Sequence, residues 1–283
     1  MHEPTPIRRQ VVDRSLNIVN RPPGLALALA GRRLEYLHIP KFGGTTVRYV
    51  LEAYAGTRAL TSFNEGRANP TPAISRSEAR IAMGHEPAID QYQRDDTVYM
   101  TILRDPIKRL RSHAAMLTRA YGCSPAQALK RLDSVHHNSA CYILAGPEIG
   151  SAPEARLDAA KRALENRIHL FGFQERHDEA MALLAAVLDV EGLIYPGFQH
   201  GAKRGAASDN TLEEGHLATL CRYDRALDVF ARELYASRWA PVFDGFALHE
   251  KRPGRRYLTI QMDTTAAAVI AGETVFRPPN TTG

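Results

Sequence analysis

Long apolar runs, paired cysteines and metal-spaced ligands are all scarce in this chain, and each scarcity removes a class of protein. The apolar stretch "GLALALA", Gly24 to Ala30, falls far short of the roughly 20 residues a bilayer-spanning helix needs, so no membrane span is expected. No secretory layout precedes it either. Arg8, Arg9, Arg14 and Arg21 are interspersed with Asp13 and no clean cleavage site follows, so the expected location is cytoplasmic. Cys123, Cys141 and Cys221 are odd in number, far apart and without metal-ligand spacing, which reads as free thiols in a reducing compartment. There is no repeat, no low-complexity block and no recognisable nucleic-acid motif, and the arginines are scattered rather than run together. A nucleic-acid partner is therefore not expected.

What is present suits an α/β protein. At 283 residues with 44% hydrophobic and 24% charged content, the chain can bury a full core. Its formal charge of +5 and pI near 9.2 favour acidic ligands. Residues 1–32 are polar and contain prolines, and they read as an N-terminal arm. Residues 33–250 read as the main domain and 251–283 as a C-terminal extension whose "RRYLTIQMD" is a candidate edge strand. Within the main domain, the stretch from Ala55 to Ala79 reads as a long irregular connection. Thr97 to Leu103 is a strand, Ala155 to Ile168 a helix, His169 to Phe173 a strand, and Met181, Leu184, Ala185 and Leu188 mark another helix. Gly197 to Asn210 is a loop, after which helices run from near Thr211 to about Ala236.

Two segments carry chemistry. In "EYLHIPKFGGTTVRYVLEAY", Glu35 to Tyr54, a short apolar run ends at Pro40, and Val47, Val50, Leu51 and Tyr54 then recur at helical spacing. The segment is strand, tight turn, helix. Gly43 and Gly44 permit close backbone approach, the helix start offers N–H groups and positive dipole, Lys41 adds charge, and Thr45 and Thr46 add hydroxyls. Such a turn binds oxyanions. The lysine precedes the glycines, which is not the Walker A order G-x-x-x-x-G-K-[ST], so an ordinary NTPase is disfavoured. In the second segment, "TVYMTILRDPIKRLRSHAAMLTRAY", Arg104 closes a strand, Asp105 caps a helix and Pro106 opens it. The core stripe is Ile107, Leu110, Ala114 and Leu117, while Asp105, Lys108 and Ser112 share another. Arg104 and Ser112 are placed to reach one anion beside the first turn, since open α/β sheets bind ligands off the carboxyl ends of strands.

Together, "HIPKFGGTT" and "TILRDPIKRLRSH" resemble the paired signatures of sulfotransferases that use 3′-phosphoadenosine 5′-phosphosulfate (PAPS), in the carbohydrate O-sulfotransferase group that includes heparan sulfate 2-O-sulfotransferase. "MGHEP", "HHNSACYILAG", "ALENRIHLFGFQERHDEAMALL" and "YDRALDVFAREL" extend the likeness to about residue 235. The resemblance implies a P-loop NTPase-like parallel sheet flanked by helices, with a helical C-terminal part. It assigns Lys41, Phe42, Gly43, Gly44, Thr45 and Thr46 to the 5′-phosphosulfate, and Arg104 with Ser112 to the 3′-phosphate. Lys203, Arg204 and Ser208 lie where related enzymes close over the nucleotide. Phe42 departs from the family's common threonine, removing one donor, and the family's membrane anchor is missing, which points to a soluble bacterial enzyme.

The implied reaction moves a sulfuryl group from PAPS to a hydroxyl of a carbohydrate or similar small acceptor, releasing PAP without a metal. By analogy with phosphoryl transfer, the protein supplies alignment and charge stabilisation, with Lys41 acting on the leaving phosphate. His85, after Gly84 in the family-like segment, is the expected general base, and Glu86 is the alternative. His38 and His113 are weaker candidates, His136 and His137 are placed on the acceptor side, and Arg48, Arg67, Arg76 and Arg94 are open as acceptor contacts. Two other readings remain: an ATP-dependent small-molecule kinase with a divergent phosphate loop, and a non-catalytic basic glycan-binding protein.

Overall fold

The computed structural model describes residues 8–12, 16–22, 31–55, 60–63, 79–84, 96–132, 134–146, 150–190, 192–196, 212–244, 257–262 and 265–270. It is an α/β protein built on an all-parallel sheet flanked by helices. Two strands come first, β1 (Arg8–Val12) and β2 (Leu16–Asn20), inside the stretch expected as an arm. Then follow β3 (Arg33–Leu37), α1 (Gly44–Ala55), β4 (Leu60–Phe63), β5 (Ile81–Gly84) and β6 (Thr97–Leu103). The helices α2 (Pro106–Tyr121), α3 (Pro125–Lys130), α4 (Ser134–His137), α5 (Ser139–Leu144) and α6 (Pro153–Asn166) lead to β7 (Leu170–Phe173). The chain continues through α7 (His177–Val187), β8 (Gly192–Pro196), α8 (Glu214–Leu220), α9 (Arg222–Arg238), β9 (Tyr257–Met262) and β10 (Thr265–Ile270). No described helix is long and apolar enough to cross a membrane.

The main sheet has the order β4-β5-β3-β6-β7, with every pairing parallel. Its strands β5, β6 and β7 are buried at every position, as expected where helices cover both faces. From β3 the chain passes by α1 to β4 at one edge, and from the adjacent β6 it leaves for β7 at the other. The gap beyond the carboxyl ends of β3 and β6 is thus the topological switch point, where open parallel sheets place their ligands. The turn after Leu37 and the residues after Leu103 both fall there.

Several expectations shift. The irregular connection from Ala55 to Ala79 contains edge strand β4, and β5 and β8, which the sequence pattern did not single out, are strands too. β4, β5 and β8 run to only 4 or 5 residues, too short for a periodicity to declare itself. β2 pairs antiparallel with β8, Val19 is fully buried, and Arg21 forms a 2.5 Å ion pair with Asp189, so this part of residues 1–32 is packed onto the domain. β9 lies between β1 and β10 in a separate three-stranded sheet rather than at an edge. α7 is buried along its length rather than along one stripe, from Glu179 to Val187, because it packs against both β7 and the β2–β8 ribbon. Gly172 allows the approach to β7, since a Cβ there would stand 2.6 Å from that of Ala180. The α2 stripe also faces elsewhere: Leu110 and Ala114 join Ala128, Leu129, Leu217 and Cys221 in a small second core under α3 and α8.

Candidate functional site

β3 stops at Leu37, and the chain turns sharply before α1 begins at Gly44. Lys41 and Gly43 both take left-handed backbone angles, φ 72° and 82°. For a lysine this conformation is uncommon and costs on the order of 1 kcal/mol, which the surrounding contacts must offset. They do so through the backbone. Phe42 N–H donates to the Ile39 carbonyl and Thr46 N–H to the Gly43 carbonyl, each at 3.3 Å, while Arg104 Nη1, from the end of β6, donates to the Lys41 carbonyl at 2.9 Å. The two sequence motifs therefore meet, joined by a hydrogen bond across the switch point.

The candidate residues sort clearly. Phe42 is buried in the main core, so any part it plays in binding falls to its backbone. Gly44 is needed by a neighbour: a Cβ there would stand 1.9 Å from His38 Nε2, and the His38 ring stacks on Tyr36 with centroids 5.8 Å apart. Gly43 faces the Gln174 side chain, whose Oε1 is buried without a partner. Thr45 and Thr46 lie in the first turn of α1, and Thr46 is buried. Ser112 is half-buried on α2 and Lys108 is exposed. His85, Glu86, Lys203, Arg204, Ser208, Arg67, Arg76 and Arg94 lie outside the described residues.

Charge gathers at this point. Lys41 is half-buried, and its pKa is lowered by burial first and then by the guanidiniums of Arg119 and Arg104. No carboxylate among the described residues pairs with the Lys41 ammonium or the Arg119 guanidinium. His113, two turns into α2, is drawn into the same cluster. Its ring is buried, Nδ1 has no partner, and burial together with Arg109, His136, Lys41 and His137 brings its pKa down to about 4. It is a neutral imidazole at pH 7. Among the described residues, two nearby acids are already engaged: the Asp105 carboxylate accepts from Lys108 N–H at 2.8 Å, and Glu175 accepts from Asp105 N–H at 3.1 Å and pairs with Arg232 at 3.7 Å. Lys41 and Arg119, which repel each other and pair with no carboxylate among the described residues, carry the electrostatic mark of an anion site.

A buried polar network that the sequence reading missed fixes α2 in place. Arg109 is fully buried and donates to the carbonyls of His136 at 2.6 Å and His137 at 2.7 Å and to Ser139 Oγ at 3.1 Å. Asp224, from the first turn of α9, accepts from the N–H groups of Ala140 and Cys141 at the start of α5. Asn138 answers by accepting from Tyr223 and Asp224 N–H, so each helix start is capped by a side chain of the other. Burial raises the Asp224 carboxyl, opposed by Arg109, and it raises the Cys141 and Cys221 thiols, the latter to about 12. Both are inert, free thiols. The one available signal was the Arg109 side chain beside a core stripe, which periodicity reads as solvated.

No family model matches the chain, and no curated protein matches it.

Proposed function

We propose that the protein is a PAPS-dependent sulfotransferase with a P-loop-like fold, moving a sulfuryl group to a hydroxyl of a carbohydrate or similar acceptor. One observation carries this reading: the turn holding Lys41 and the strand end holding Arg104 meet at the switch point of a parallel sheet, beside Lys41 and Arg119 cations that pair with no carboxylate among the described residues. That donor set suits a ligand with two separated anionic groups, and the resemblance supplies the ligand. The resemblance assigns Lys41, Gly43, Gly44, Thr45 and Thr46 to the 5′-phosphosulfate, with Phe42 contributing backbone only. Arg104 and Ser112 take the 3′-phosphate, and Arg104 also steadies the turn through the Lys41 carbonyl. The resemblance adds Lys203, Arg204 and Ser208, which lie outside the described residues, to the nucleotide contacts.

During in-line transfer, negative charge grows on the leaving phosphate oxygen, where the half-buried Lys41 ammonium stabilises it. The acceptor proton goes to His85, or to Glu86 if its pKa is raised. His113 is excluded as that base, because an imidazole of pKa about 4 is a poor proton acceptor at neutral pH.

The test is ligand-induced stabilisation followed by turnover. PAP at about 100 times its dissociation constant adds roughly 2.7 kcal/mol, and ATP with magnesium adds much less. Labelled PAPS and a panel of hydroxyl acceptors then report transfer. Stronger stabilisation by ATP with magnesium than by PAP points instead to the kinase, and PAP binding with no transfer to any acceptor points to a binding protein.

A further inference from the structure

The anion turn has a third neighbour besides the two motifs. β7 ends at Phe173, and Gln174–Arg176 form a short 3-10 turn that touches both of them. Phe173 is buried in the core with its ring 5.4 Å from that of Tyr235, and Glu175 accepts from Asp105 N–H at 3.1 Å. Gln174 is thus pinned from both sides. Its side chain lies over the glycine of the turn: a Cβ on Gly43 would stand 3.4 Å from Gln174 Cγ and Cδ and 3.5 Å from Nε2. Among the described residues neither end of this amide has a hydrogen-bond partner, but the two ends differ. Oε1 is buried, which costs free energy, whereas Nε2 keeps open surface and both of its N–H donors. Turning the amide over would bury the donors and point the carbonyl outward beside the turn. An anion there favours the orientation observed.

We propose that Gln174 is a further ligand-binding residue of this site, its Nε2–H donating to an oxygen of the sulfuryl or phosphoryl group held in the turn at 41–46. The identity of that ligand rests on the sulfotransferase reading, while the contact itself requires only an oxyanion in the turn. Lys41 contributes charge and Gln174 contributes direction. A neutral amide adds a donor on a rigid support without adding to the repulsion that Arg119 and Arg104 exert on Lys41.

The experiment is calorimetric titration of the full chain with PAP, for wild type, Gln174→Met and Gln174→Glu, with thermal melts of each in the absence of ligand. Gln174→Met, close in length and shape, is expected to bind PAP about tenfold more weakly. It melts no lower than wild type, because it also removes the unpartnered Oε1. Gln174→Glu keeps the shape and turns a carboxylate toward the anion, so its loss is about a hundredfold near neutral pH. Two nucleotides locate the loss: adenosine 5′-phosphate shows it and adenosine 3′-phosphate does not. An NMR titration with sodium sulfate, against sodium chloride at matched ionic strength and read on the backbone amides of 43–46, repeats the comparison without a nucleotide. If PAP fails to bind wild type, the sulfotransferase reading fails, and the sulfate titration alone decides the Gln174 contact. Wild-type affinity for PAP and sulfate in both variants overturns the proposal, as do an equal loss with the 3′- and 5′-phosphates and silence of the 43–46 amides toward both PAP and sulfate. Weaker binding in Gln174→Met with a matching fall in melting temperature, and normal binding in Gln174→Glu, assigns Gln174 to packing and overturns it too.

Discussion

Gly44→Ala separates two reasons for a glycine in the turn. Gly44 has an ordinary backbone angle, unlike Gly43, so an alanine meets no conformational strain and gains about 0.5–1 kcal/mol of helix propensity. Its methyl, however, would stand 1.9 Å from His38 Nε2 and 2.1 Å from Cδ2, where ordinary contact begins at 3.4 Å. The ring cannot retreat freely, because it stacks on the fully buried Tyr36 and its backbone N–H donates to the Gly84 carbonyl at 2.9 Å. Overpacking of this kind costs about 1–3 kcal/mol. The net expectation is a loss of roughly 1–2 kcal/mol for Gly44→Ala, and a neutral or slightly stabilising effect in a His38→Ala background, so the coupling is about 2 kcal/mol. Urea unfolding of wild type, both single variants and the double variant measures it as shifts in midpoint at constant m-value. If Gly44→Ala costs the same with and without His38, the ring is not what the glycine accommodates, and ligand approach becomes the better reason for it.

Other outcomes follow from the same geometry. Arg109→Met removes three hydrogen bonds and the cation that opposes the raised pKa of buried Asp224, so it should destabilise the protein by about 3 kcal/mol or more in urea unfolding. His113 stays neutral in the fold down to about pH 4, whereas the unfolded chain takes up its proton near 6.5, so stability falls as pH drops through that window. The bound is roughly 3 kcal/mol, which solvent at the ring edge reduces to about 1–2. His113→Gln should flatten the dependence, and a slope identical to wild type would contradict the assignment. Arg104→Ala should weaken PAP about tenfold or more by calorimetry and lower the melting temperature, because the Lys41 carbonyl loses its donor; unchanged PAP affinity removes Arg104 from the 3′-phosphate site. His85→Ala should bind PAP normally yet slow transfer by about 10² to 10⁴, whereas near-normal turnover there, with loss in Glu86→Gln, makes the carboxylate the base.

The sequence by itself determined the local pieces. The apolar run before Pro40, the Asp105 cap with Pro106, and the stripe of Val47, Val50 and Leu51 are short-range patterns, and β3, α2 and α1 form where those patterns lie. It also brought Lys41, the glycines and Arg104 to notice as anion-binding chemistry. Only the tertiary structure decided which pieces touch. That Arg104 holds the Lys41 carbonyl depends on β3 and β6 being neighbours, a pairing between strands more than 60 residues apart that no local pattern encodes. Arg109, Asn138 and Asp224 look like surface polar residues one by one, since burial of a charge follows from partners brought in by other helices, here α4, α5 and α9. Gly44 shows both levels at once: its place in the turn is written in the chain, while its need for a missing methyl comes from the His38 ring that folding lays against it.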